Sequence, residues 1–333
     1  MTSGRARPAV LVARRVFPDV LAGLQRHFEV EANDTDEVWS PEELRQRLQG
    51  KAGALTTGSE RISAELLAAC PDLRVVANMA VGFNNFDVAA CTAQGVLATN
   101  TPDVLTETTA DFGFALLLAT ARRLTESEHF LRAGLWNRWS VDMFAGAEVH
   151  GSTLGILGMG RIGQGIARRG AHGFGMRVLY HNRSRLSPAT EADCRAEWVP
   201  KADLLAQADH LVLVLPYSAS SHHAIGAAEL ALMKPTATLV NIARGGIVDD
   251  EALAHALRTR QIAAAGLDVF DGEPTVHPEL LALSNVVLTP HIASATLSTR
   301  RAMAQLAADN LVAFLVEGRA LTPVNPDVLT RVG

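Results

Sequence analysis

Short apolar runs alternate with amphipathic segments over the first hundred residues of the chain. The runs AVLVA, AGALTT, RVVANMA and VLATN span residues 9–13, 52–57, 74–80 and 96–100. Segments with helical periodicity separate them, among them residues 19–28 and 40–50. This alternation predicts repeated strand and helix units that form a parallel sheet.

The helix over residues 40–50 has start and stop signals of its own. The Ser40 side chain can accept a hydrogen bond from the amide of Glu43 while Glu43 reaches back, which is a capping box. Pro41 suits the first helical position, and Gly50 can adopt the left-handed conformation that ends a helix.

A long helical segment over residues 107–134 follows, and a second alternating block begins after it. Its strands are almost wholly apolar: STLGILG, MRVLYHN, HLVLVLP, ATLVNIA, IAAAGLDVF and NVVLTP. Such runs are typical of parallel strands that helices bury on both faces. After a last helix over residues 293–317 the tail is too short to fold alone, so we expect it to pack on the first block.

The two blocks predict an α/β protein with two doubly wound parallel-sheet domains. A chain of 333 residues is long for one compact domain and comfortable for two. We expect one discontinuous domain over residues 1–101 and 292–333, and a second domain over residues 102–291.

Composition and charge argue against several classes of function. The formal net charge is −5 and the arginines are scattered, so we expect no nucleic-acid partner. The longest apolar stretches are well short of the roughly 20 residues that a membrane helix needs, so we expect no membrane association. Three cysteines without metal-type spacing, and a start without a signal-peptide pattern, favour a cytoplasmic protein with no metal site.

A glycine turn opens the second block. Gly158, Gly160 and Gly163 have the spacing G-x-G-x-x-G directly after an apolar strand and before a helix. The first glycine permits the sharp turn, the second lets the backbone approach a pyrophosphate, and the third allows close packing of helix on strand. A lone match is weak, because a glycine turn can merely join a strand to a helix, but the flanking strand and helix favour a dinucleotide site.

The end of the next strand indicates which dinucleotide is preferred. Sites that choose NAD present Asp or Glu there to bind the ribose diol. Here Asn182 occupies that position and is followed by Arg183, Ser184 and Arg185, a set able to hold a 2′-phosphate. Arginines on a solvated loop are the alternative, but the missing carboxylate favours NADPH.

Three polar residues follow later strands of the second block. Arg244 follows ATLVNIA, Glu273 follows IAAAGLDVF, and His291 follows NVVLTP. In a parallel sheet these carboxyl ends lie at the edge that also holds the glycine turn, so the three side chains can converge beside a nicotinamide.

Their chemistry suits the reduction of a 2-oxo acid. Arg244 can hold the carboxylate and polarise the ketone, and His291 can protonate the forming alkoxide as hydride arrives. Glu273 would favour the imidazolium and orient the ring. Taken singly, each residue has an ordinary explanation, as a loop ion pair, a turn carboxylate or a surface histidine; the joint placement favours a catalytic set.

Several segments resemble the successive signatures of the D-isomer-specific 2-hydroxyacid dehydrogenase family. These are GILGMGRIG, NIARGGIVDD, GLDVFDGEP and LTPHIASAT, in that order. MAVGFNNFDVAAC and NTPDVLTETTADFGFALLLATARR resemble the glyoxylate and hydroxypyruvate reductase branch in particular. The likeness covers residues 52–325, whereas the first fifty residues carry only the general strand and helix pattern.

The resemblance implies a fold and roles for further residues. It implies a flavodoxin-like substrate domain over residues 1–101 and 292–333, a Rossmann cofactor domain over 102–291, and a cleft between them. The amides of Val81 and Gly82 would hold the substrate carboxylate, Asp268 would bond the nicotinamide carboxamide, and Thr109 would flank the ring. For Asp268 a role in a turn is equally compatible with the sequence. The remaining expected cofactor contacts are Arg161, Ile162, Pro216, Ile242 and Ala243, together with Arg244 and His291.

Trp139 resembles a tryptophan that reaches into the neighbouring subunit's active site, which would also give it a place in substrate binding and make the protein a homodimer. From the residues alone, we interpret Trp136 and Trp139 as buried packing at a domain junction.

The resemblance leaves other activities open. Phosphoglycerate dehydrogenases and 2-ketogluconate reductases share the same three catalytic residues. Formate dehydrogenases resemble this triad with Gln in place of Glu, so Glu273 argues against that branch. The family also includes the C-terminal binding protein corepressors, which use the fold as a dinucleotide-sensing scaffold. We expect NADPH-dependent reduction of glyoxylate or hydroxypyruvate to the D-2-hydroxy acid, with NADH as a possible second cofactor.

Overall fold

The structure, a computed structural model, describes residues 7–331. The chain divides into two compact units. One unit holds the described residues up to Leu105 and again from Thr296, and the other is Thr106–Ala295. The sequence pattern places the two junctions slightly earlier, after residues 101 and 291.

The first unit contains a five-stranded parallel sheet. Its strands are β1 (Ala9–Val12), β2 (Glu29–Ala32), β3 (Gly53–Thr56), β4 (Val75–Asn78) and β5 (Leu97–Thr99), in the order β2-β1-β3-β4-β5. Its helices are α1 (Pro18–Gln25), α2 (Pro41–Arg47), α3 (Ala64–Ala69), α4 (Val88–Ala93) and α13 (Leu297–Leu315), and a 3₁₀ turn spans Pro326–Arg331. In the register, Val10 lies opposite Val30 on one side and Gly53 on the other. This strand order is the flavodoxin-like arrangement.

Helices bury both faces of this sheet. One face, with Val10, Leu55 and Val75, packs against α1 and the Leu311 side of α13. The opposite face, with Leu11 and other residues of alternate position, packs against α2, α3 and α4. Successive strand residues point to opposite faces, so an uninterrupted apolar run fills two cores at once.

The second unit contains a seven-stranded parallel sheet. Its strands are β6 (Thr153–Leu157), β7 (Arg177–His181), β8 (Ala196–Trp198), β9 (His210–Leu213), β10 (Thr238–Asn241), β11 (Ala264–Leu267) and β12 (Val286–Leu288), in the order β12-β11-β10-β9-β6-β7-β8. Its helices are α5 (Thr106–Ala121), α6 (Leu124–Arg132), α7 (Arg161–Arg168), α8 (Pro188–Cys194), α9 (Lys201–Gln207), α10 (Ala227–Leu230), α11 (Asp250–Arg258) and α12 (Pro278–Ala282), with a π turn over Arg169–Gly173. The order reverses beside β6, as in a Rossmann sheet, so the predicted fold class is confirmed.

One long helix over residues 107–134 is a wrong prediction. The structure has two helices, α5 and α6, with Arg123 between them in the left-handed conformation at a φ of 54°. The carbonyl of Ala121 accepts a hydrogen bond from the amide of Ala147 at 2.9 Å, so a later segment occupies the position of the next helical turn. Helical periodicity on both sides of the break conceals this long-range contact.

The ends of two other helices also differ from the sequence prediction. Ser40 accepts from the amide of Glu43 at 3.2 Å as expected, but the Glu43 carboxylate pairs with Arg47 at 3.1 Å instead of closing the capping box. The last helix was expected from residue 293 and begins at Leu297, because the Thr296 hydroxyl accepts from the amide of Thr299 and caps it.

Several features are absent from the part of the chain that the structure describes. Within residues 7–331 no helix combines the length and apolar character needed to cross a membrane. Nor do three His, Cys, Asp or Glu side chains in that range group closely enough to hold a metal ion. The three cysteines are free thiols, and all are buried.

Candidate active site

Three polar side chains follow three neighbouring strands of the second sheet. Arg244 lies shortly beyond β10, Glu273 lies in the loop after β11, and His291 lies shortly beyond β12. Because these strands are adjacent and parallel, their carboxyl ends lie at one edge of the sheet. Strand β6, which leads into the glycine turn, ends at the same edge.

The imidazole of His291 is held by the carboxylate of Glu273. The distance from Nδ1 of His291 to Oε2 of Glu273 is 2.7 Å. The other carboxylate oxygen accepts from the amide of Phe270 at 3.0 Å, which fixes the carboxylate in its turn. No hydrogen-bond partner of Nε2 of His291 occurs among residues 7–331, and the side chain is 45% exposed. The ring can therefore exchange a proton with a bound molecule through Nε2.

Opposing effects set the charge of Glu273. Its partial burial disfavours the carboxylate, but the hydrogen bond from His291, the charge of that ring, the Phe270 amide and the charge of Arg244 together hold the pKa of Glu273 below its ordinary value. Glu273 is therefore ionised at neutral pH, and it can support a positive charge on the imidazole.

Arg244 is a half-buried cation at the same edge. Its Nη1 donates to the carbonyl of Ala243 at 2.8 Å. Burial lowers the pKa of Arg244, and the nearby charge of Glu273 opposes that effect. A guanidinium remains charged even so, because its ordinary pKa is far above neutrality. A partly desolvated guanidinium attracts a carboxylate more strongly than one in water.

Asp268 builds the loop that carries His291. The Asp268 side chain is fully buried and accepts from Thr289 Oγ1 at 2.7 Å, from the amide of Ile292 at 2.8 Å and from the amide of Ala293 at 2.9 Å. Burial raises the pKa of Asp268 although these three donors oppose it. His291 itself has a φ of 53°, so the turn between Thr289 and Ala293 sets the direction of its ring. The structure thus shows the turn role for Asp268, one of the two that the sequence left open.

The glycine turn has the geometry that its spacing predicts. Gly158 has a φ of 102°, and a Cβ there would lie 2.7 Å from the backbone of Val214. A Cβ on Gly163 would lie 2.5 Å from the carbonyl oxygen of Gly158. A side chain at position 158 would therefore push the turn away from the segment after β9, and a side chain at position 163 would push α7 away from the turn.

The same turn fits the pyrophosphate of a dinucleotide. A Cβ added to Gly160 would meet nothing within 4 Å, so the backbone there is open to close approach. Gly160 also precedes α7, whose amino end has no capping side chain. Such a helix end offers backbone donors and a partial positive charge to a phosphate. Thr109, on α5, adds a buried hydroxyl that has no hydrogen-bond partner within residues 7–331.

The polar residues after β7 differ in their contacts. Oδ1 of Asn182 accepts from the amide of Met159 at 2.7 Å, which ties the strand end to the glycine turn. Arg185 forms two hydrogen bonds of 2.8 Å with Glu191, and its side chain remains 65% exposed. Arg183 and Ser184 are exposed, and within the described chain their side chains have no polar partner. The side chains of Arg183 and Ser184 are therefore accessible to a bound molecule.

The other expected cofactor residues lie at the same sheet edge. Pro216 follows β9 and is exposed, whereas Ile242 and Ala243 follow β10 and are buried. Arg161 and Ile162 open helix α7 behind the glycine turn.

The loop after β4 in the first unit presents two free amides. Asn100 donates to the carbonyl of Val81 at 2.8 Å, and Asn78 donates to the carbonyl of Gly82 at 2.9 Å. The N–H groups of Val81 and Gly82 have no acceptor within the described residues. This arrangement can bind an anion. Sequence reasoning missed Asn78 and Asn100; their place at the ends of β4 and β5 is the signal that could have identified them.

The tryptophans after α6 are not buried within the chain. Trp136 is 56% exposed and Trp139 is 74% exposed, so the interpretation of both as packing at a domain junction is wrong for the single chain. Leu131, Leu135 and Val141 are exposed beside them.

Comparison with known proteins identifies the relatives of this chain. The family model for the D-isomer specific 2-hydroxyacid dehydrogenase, NAD binding domain, matches residues 114–293. A glyoxylate reductase of Thermococcus onnurineus is 50% identical over 327 residues, which are 97% of this chain and 97% of that protein. A glyoxylate reductase of Aeropyrum pernix is 49% identical over 331 residues, 98% of this chain and 96% of that protein.

A solved structure shows the same likeness in three dimensions. The NADPH-dependent glyoxylate/hydroxypyruvate reductase of Sinorhizobium meliloti, solved with NADP and malonate, superposes with a TM-score of 0.86 at 37% identity. The match covers 96% of this chain and 97% of that one.

Proposed function

Because this chain belongs to the D-isomer specific 2-hydroxyacid dehydrogenase family, we propose that it is an NADPH-preferring reductase of small 2-oxo acids such as glyoxylate and hydroxypyruvate. The observation that carries the proposal is the pairing of His291 with Glu273 at 2.7 Å, at the sheet edge that also holds Arg244 and the glycine turn.

The cofactor, when bound, supplies the hydride that reduces the ketone. The glycine turn and Gly160 would hold its pyrophosphate, with Thr109 beside the ring. Arg244 would bind the substrate carboxylate and polarise the ketone oxygen. His291 would donate the proton from Nε2 to the forming alkoxide, while Glu273 stabilises the charged ring and holds its orientation.

An NADPH-oxidation assay over a panel of acids tests the proposal. We expect turnover of glyoxylate and hydroxypyruvate to exceed that of pyruvate, 2-ketogluconate and phosphohydroxypyruvate, with the D-2-hydroxy acid as product. A maximum at phosphohydroxypyruvate or 2-ketogluconate would instead support one of the related activities. No oxidation across the panel would contradict a reductase and support a dinucleotide-sensing scaffold.

Cofactor preference is predicted to depend on Arg183. Replacement by Ala removes a charge-assisted contact to the 2′-phosphate, so kcat/KM for NADPH should fall by about tenfold or more, with little change for NADH. Arg177→Ala is the matched control, since Arg177 begins the strand that Asn182 and Arg183 follow and lies at the opposite end of it. Wild-type protein that favours NADH, or a variant that loses both cofactors equally, would contradict the assignment.

A homodimer would cover the exposed apolar surface formed by α6 and the segment after it. This surface includes a concavity of about 530 Å³. Among its lining residues are Leu124, Phe130, Leu131, Trp136, Met143 and Phe144. Contiguous apolar surface of this kind is typical of a protein interface. We infer that a second copy of the chain occupies it, with Trp139 contributing to the partner's site.

Light scattering after size exclusion tests the dimer. The wild-type mass should be twice the 35.5 kDa of one chain, and Trp136→Glu should shift it toward the monomer. Arg138→Gln, a polar change in the same segment, should leave the mass unchanged. A monomeric wild type at micromolar concentration would refute the interface.

The three buried free thiols support a reducing, cytoplasmic location.

A further inference from the structure

The turn over residues 270–273, here the Glu273 turn, is held at two successive amides by two carboxylates. The amide of Phe270 donates to Oε1 of Glu273 at 3.0 Å, so the first bond lies within the turn. The amide of Asp271 donates to Oδ2 of Asp250 at 3.3 Å. Asp250 is the first residue of α11, so the second bond ties the Glu273 turn to a helix outside it.

The Glu273 turn also lies directly on the two glycines that follow Arg244. A Cβ added to Gly245 would overlap the carbonyl group of Phe270, so a side chain at position 245 would push the two loops apart. Gly246 has a φ of 74°, and a Cβ there would lie 3.5 Å from Oδ1 of Asp271. Packing of this kind limits how closely the loops approach, whereas a hydrogen bond also fixes a direction. The bond from the Asp271 amide to Asp250 supplies that direction.

The surroundings of Asp250 differ from those of an ordinary acid at the start of a helix. Acids in the first turn stabilise a helix through the partial positive charge of its amino end, and the exposed Glu251 of α11 is suited to that role. Asp250 is half-buried instead, and burial raises the pKa of Asp250 against the hydrogen bond from the Asp271 amide. The other ionisable groups that face it are the side chains of Asp271, His277 and Asp249. A carboxylate that is partly desolvated among like charges is costly, so stabilisation of the helix alone is a weak explanation for it.

We propose that Asp250 is a positioning residue for the reaction: it holds the Glu273 turn so that the Glu273 carboxylate meets Nδ1 of His291. Asp250 acts through the turn, and its effect on turnover rests on the proposed function, in which His291 gives the proton. The run from Arg244 through the two glycines to Asp250 thereby supplies both the cation for the substrate and the anchor for the acid pair.

Loss of this anchor has an effect on Glu273 that loss of helix stability does not have. Burial raises the pKa of Glu273, and the groups that lower it are the ring of His291, the amide of Phe270 and the charge of Arg244. If Asp250 is removed, water can satisfy the Asp271 amide but cannot tether the turn, so the neighbouring Phe270 amide and the His291 ring are less well placed toward the carboxylate. The pKa of Glu273 then rises, and its carboxylate becomes protonated at a higher pH than in the wild type.

Steady-state kinetics of Asp250→Ala with glyoxylate and saturating NADPH test the inference. We expect kcat to fall about fivefold or more, the usual effect of one lost hydrogen bond, with little change in KM. The acid limb of the pH profile of kcat should move to higher pH. Alanine is a strong helix former, so α11 should persist, which circular dichroism and Tm check.

Two matched variants separate the hydrogen bond from charge and from helix stability. Asp250→Asn removes the charge but retains an acceptor for the Asp271 amide, so it should restore both kcat and the pH profile. Glu251→Ala removes an exposed acid from the same helical turn and should behave like the wild type. A kcat in Asp250→Ala equal to that in Glu251→Ala, or no rescue by Asp250→Asn, would overturn the inference.

A titration without substrate distinguishes failure of the inference from failure of the proposed function. NMR of the full chain with ¹³C-labelled glutamate carboxyl groups follows the ionisation of Glu273, whose signal is identified by its loss in Glu273→Gln. The titration midpoint should rise in Asp250→Ala and keep its wild-type value in Asp250→Asn and Glu251→Ala. An unmoved midpoint in Asp250→Ala would overturn the positioning role of Asp250 whatever the wild type reduces. A raised midpoint in a protein that turns over no 2-oxo acid would support the anchoring of the turn and contradict the reductase.

Discussion

Replacing His291 by asparagine should lower kcat for glyoxylate reduction by a factor of about 10²–10⁴, the usual contribution of a positioned general acid. The structure favours asparagine over alanine for this test, because His291 has a φ of 53° and asparagine tolerates the left-handed conformation. The turn fixed by Asp268 should then survive. The affinity for NADPH, measured by titration without substrate, should change little, since the glycine turn is untouched.

Two further variants accompany this one. His172→Asn, which changes an exposed histidine of the same unit, is the control, and Glu273→Gln tests the partner of His291. The first should retain wild-type turnover. In the second the ring loses its negatively charged partner and no carboxylate remains for acid to neutralise, so kcat should fall and the acid limb of its pH profile, which Glu273 sets, should disappear. The pKa of Glu273 is held below its ordinary value, so its carboxylate keeps its charge at neutral pH and loses it only as the pH falls through that lowered value. Turnover near wild type in His291→Asn, or an unmoved profile in Glu273→Gln, would contradict the acid pair.

Arg244→Lys should lower kcat/KM for the 2-oxo acid by roughly 30- to 4000-fold, which corresponds to the loss of about 2–5 kcal/mol when a partner in a desolvated charge pair is altered. Lysine keeps the charge but has a single point of contact, and it cannot place two parallel donors on a carboxylate. Partial burial of Arg244 makes the loss larger than at an exposed site. The measurement is initial rate against glyoxylate concentration at saturating NADPH.

Arg258→Lys provides the comparison for this variant. Arg258 lies on α11 in the same unit and pairs at the surface with Glu279, so its replacement should leave kcat/KM unchanged. If Arg244→Lys loses no more than Arg258→Lys, the carboxylate is bound elsewhere. A loss of NADPH affinity as large as the loss of kcat/KM would show that Arg244 acts through the cofactor site.

Much of the fold can be predicted from the local pattern of apolar residues. The elements that the prediction missed depend on features outside that pattern. Inner strands such as β9 and β10 are mostly apolar and are buried at every position, because helices cover both of their faces, and they are readily predicted. The edge strands β2 and β8 are EVEA and AEW, with charged residues that face solvent, and they were not identified. The break between α5 and α6 depends on the amide of Ala147, which no window of local sequence includes.

The candidate site also has a part that the sequence predicts and a part that it does not. The placement of Arg244, Glu273 and His291 at one edge follows from the parallel strand order, since each residue closely follows a strand. The three donors to Asp268 and the asparagines that hold the Val81 loop depend on loop geometry, which residue types alone do not specify. Arg185 illustrates the limit, because the residue types after β7 do not reveal that it pairs with Glu191 on the following helix.

The position of α13 in the chain has a consequence for biosynthesis. This helix covers the Val10, Leu55 and Val75 face of the first sheet, yet it is synthesised only after the whole of Thr106–Ala295 has emerged from the ribosome. The second unit is continuous in sequence and can fold as soon as it is complete, whereas one face of the first sheet is covered only in part, by α1, until α13 is made. During translation the second unit can therefore complete its core before the first unit, whose sheet keeps apolar surface exposed until α13 has been synthesised.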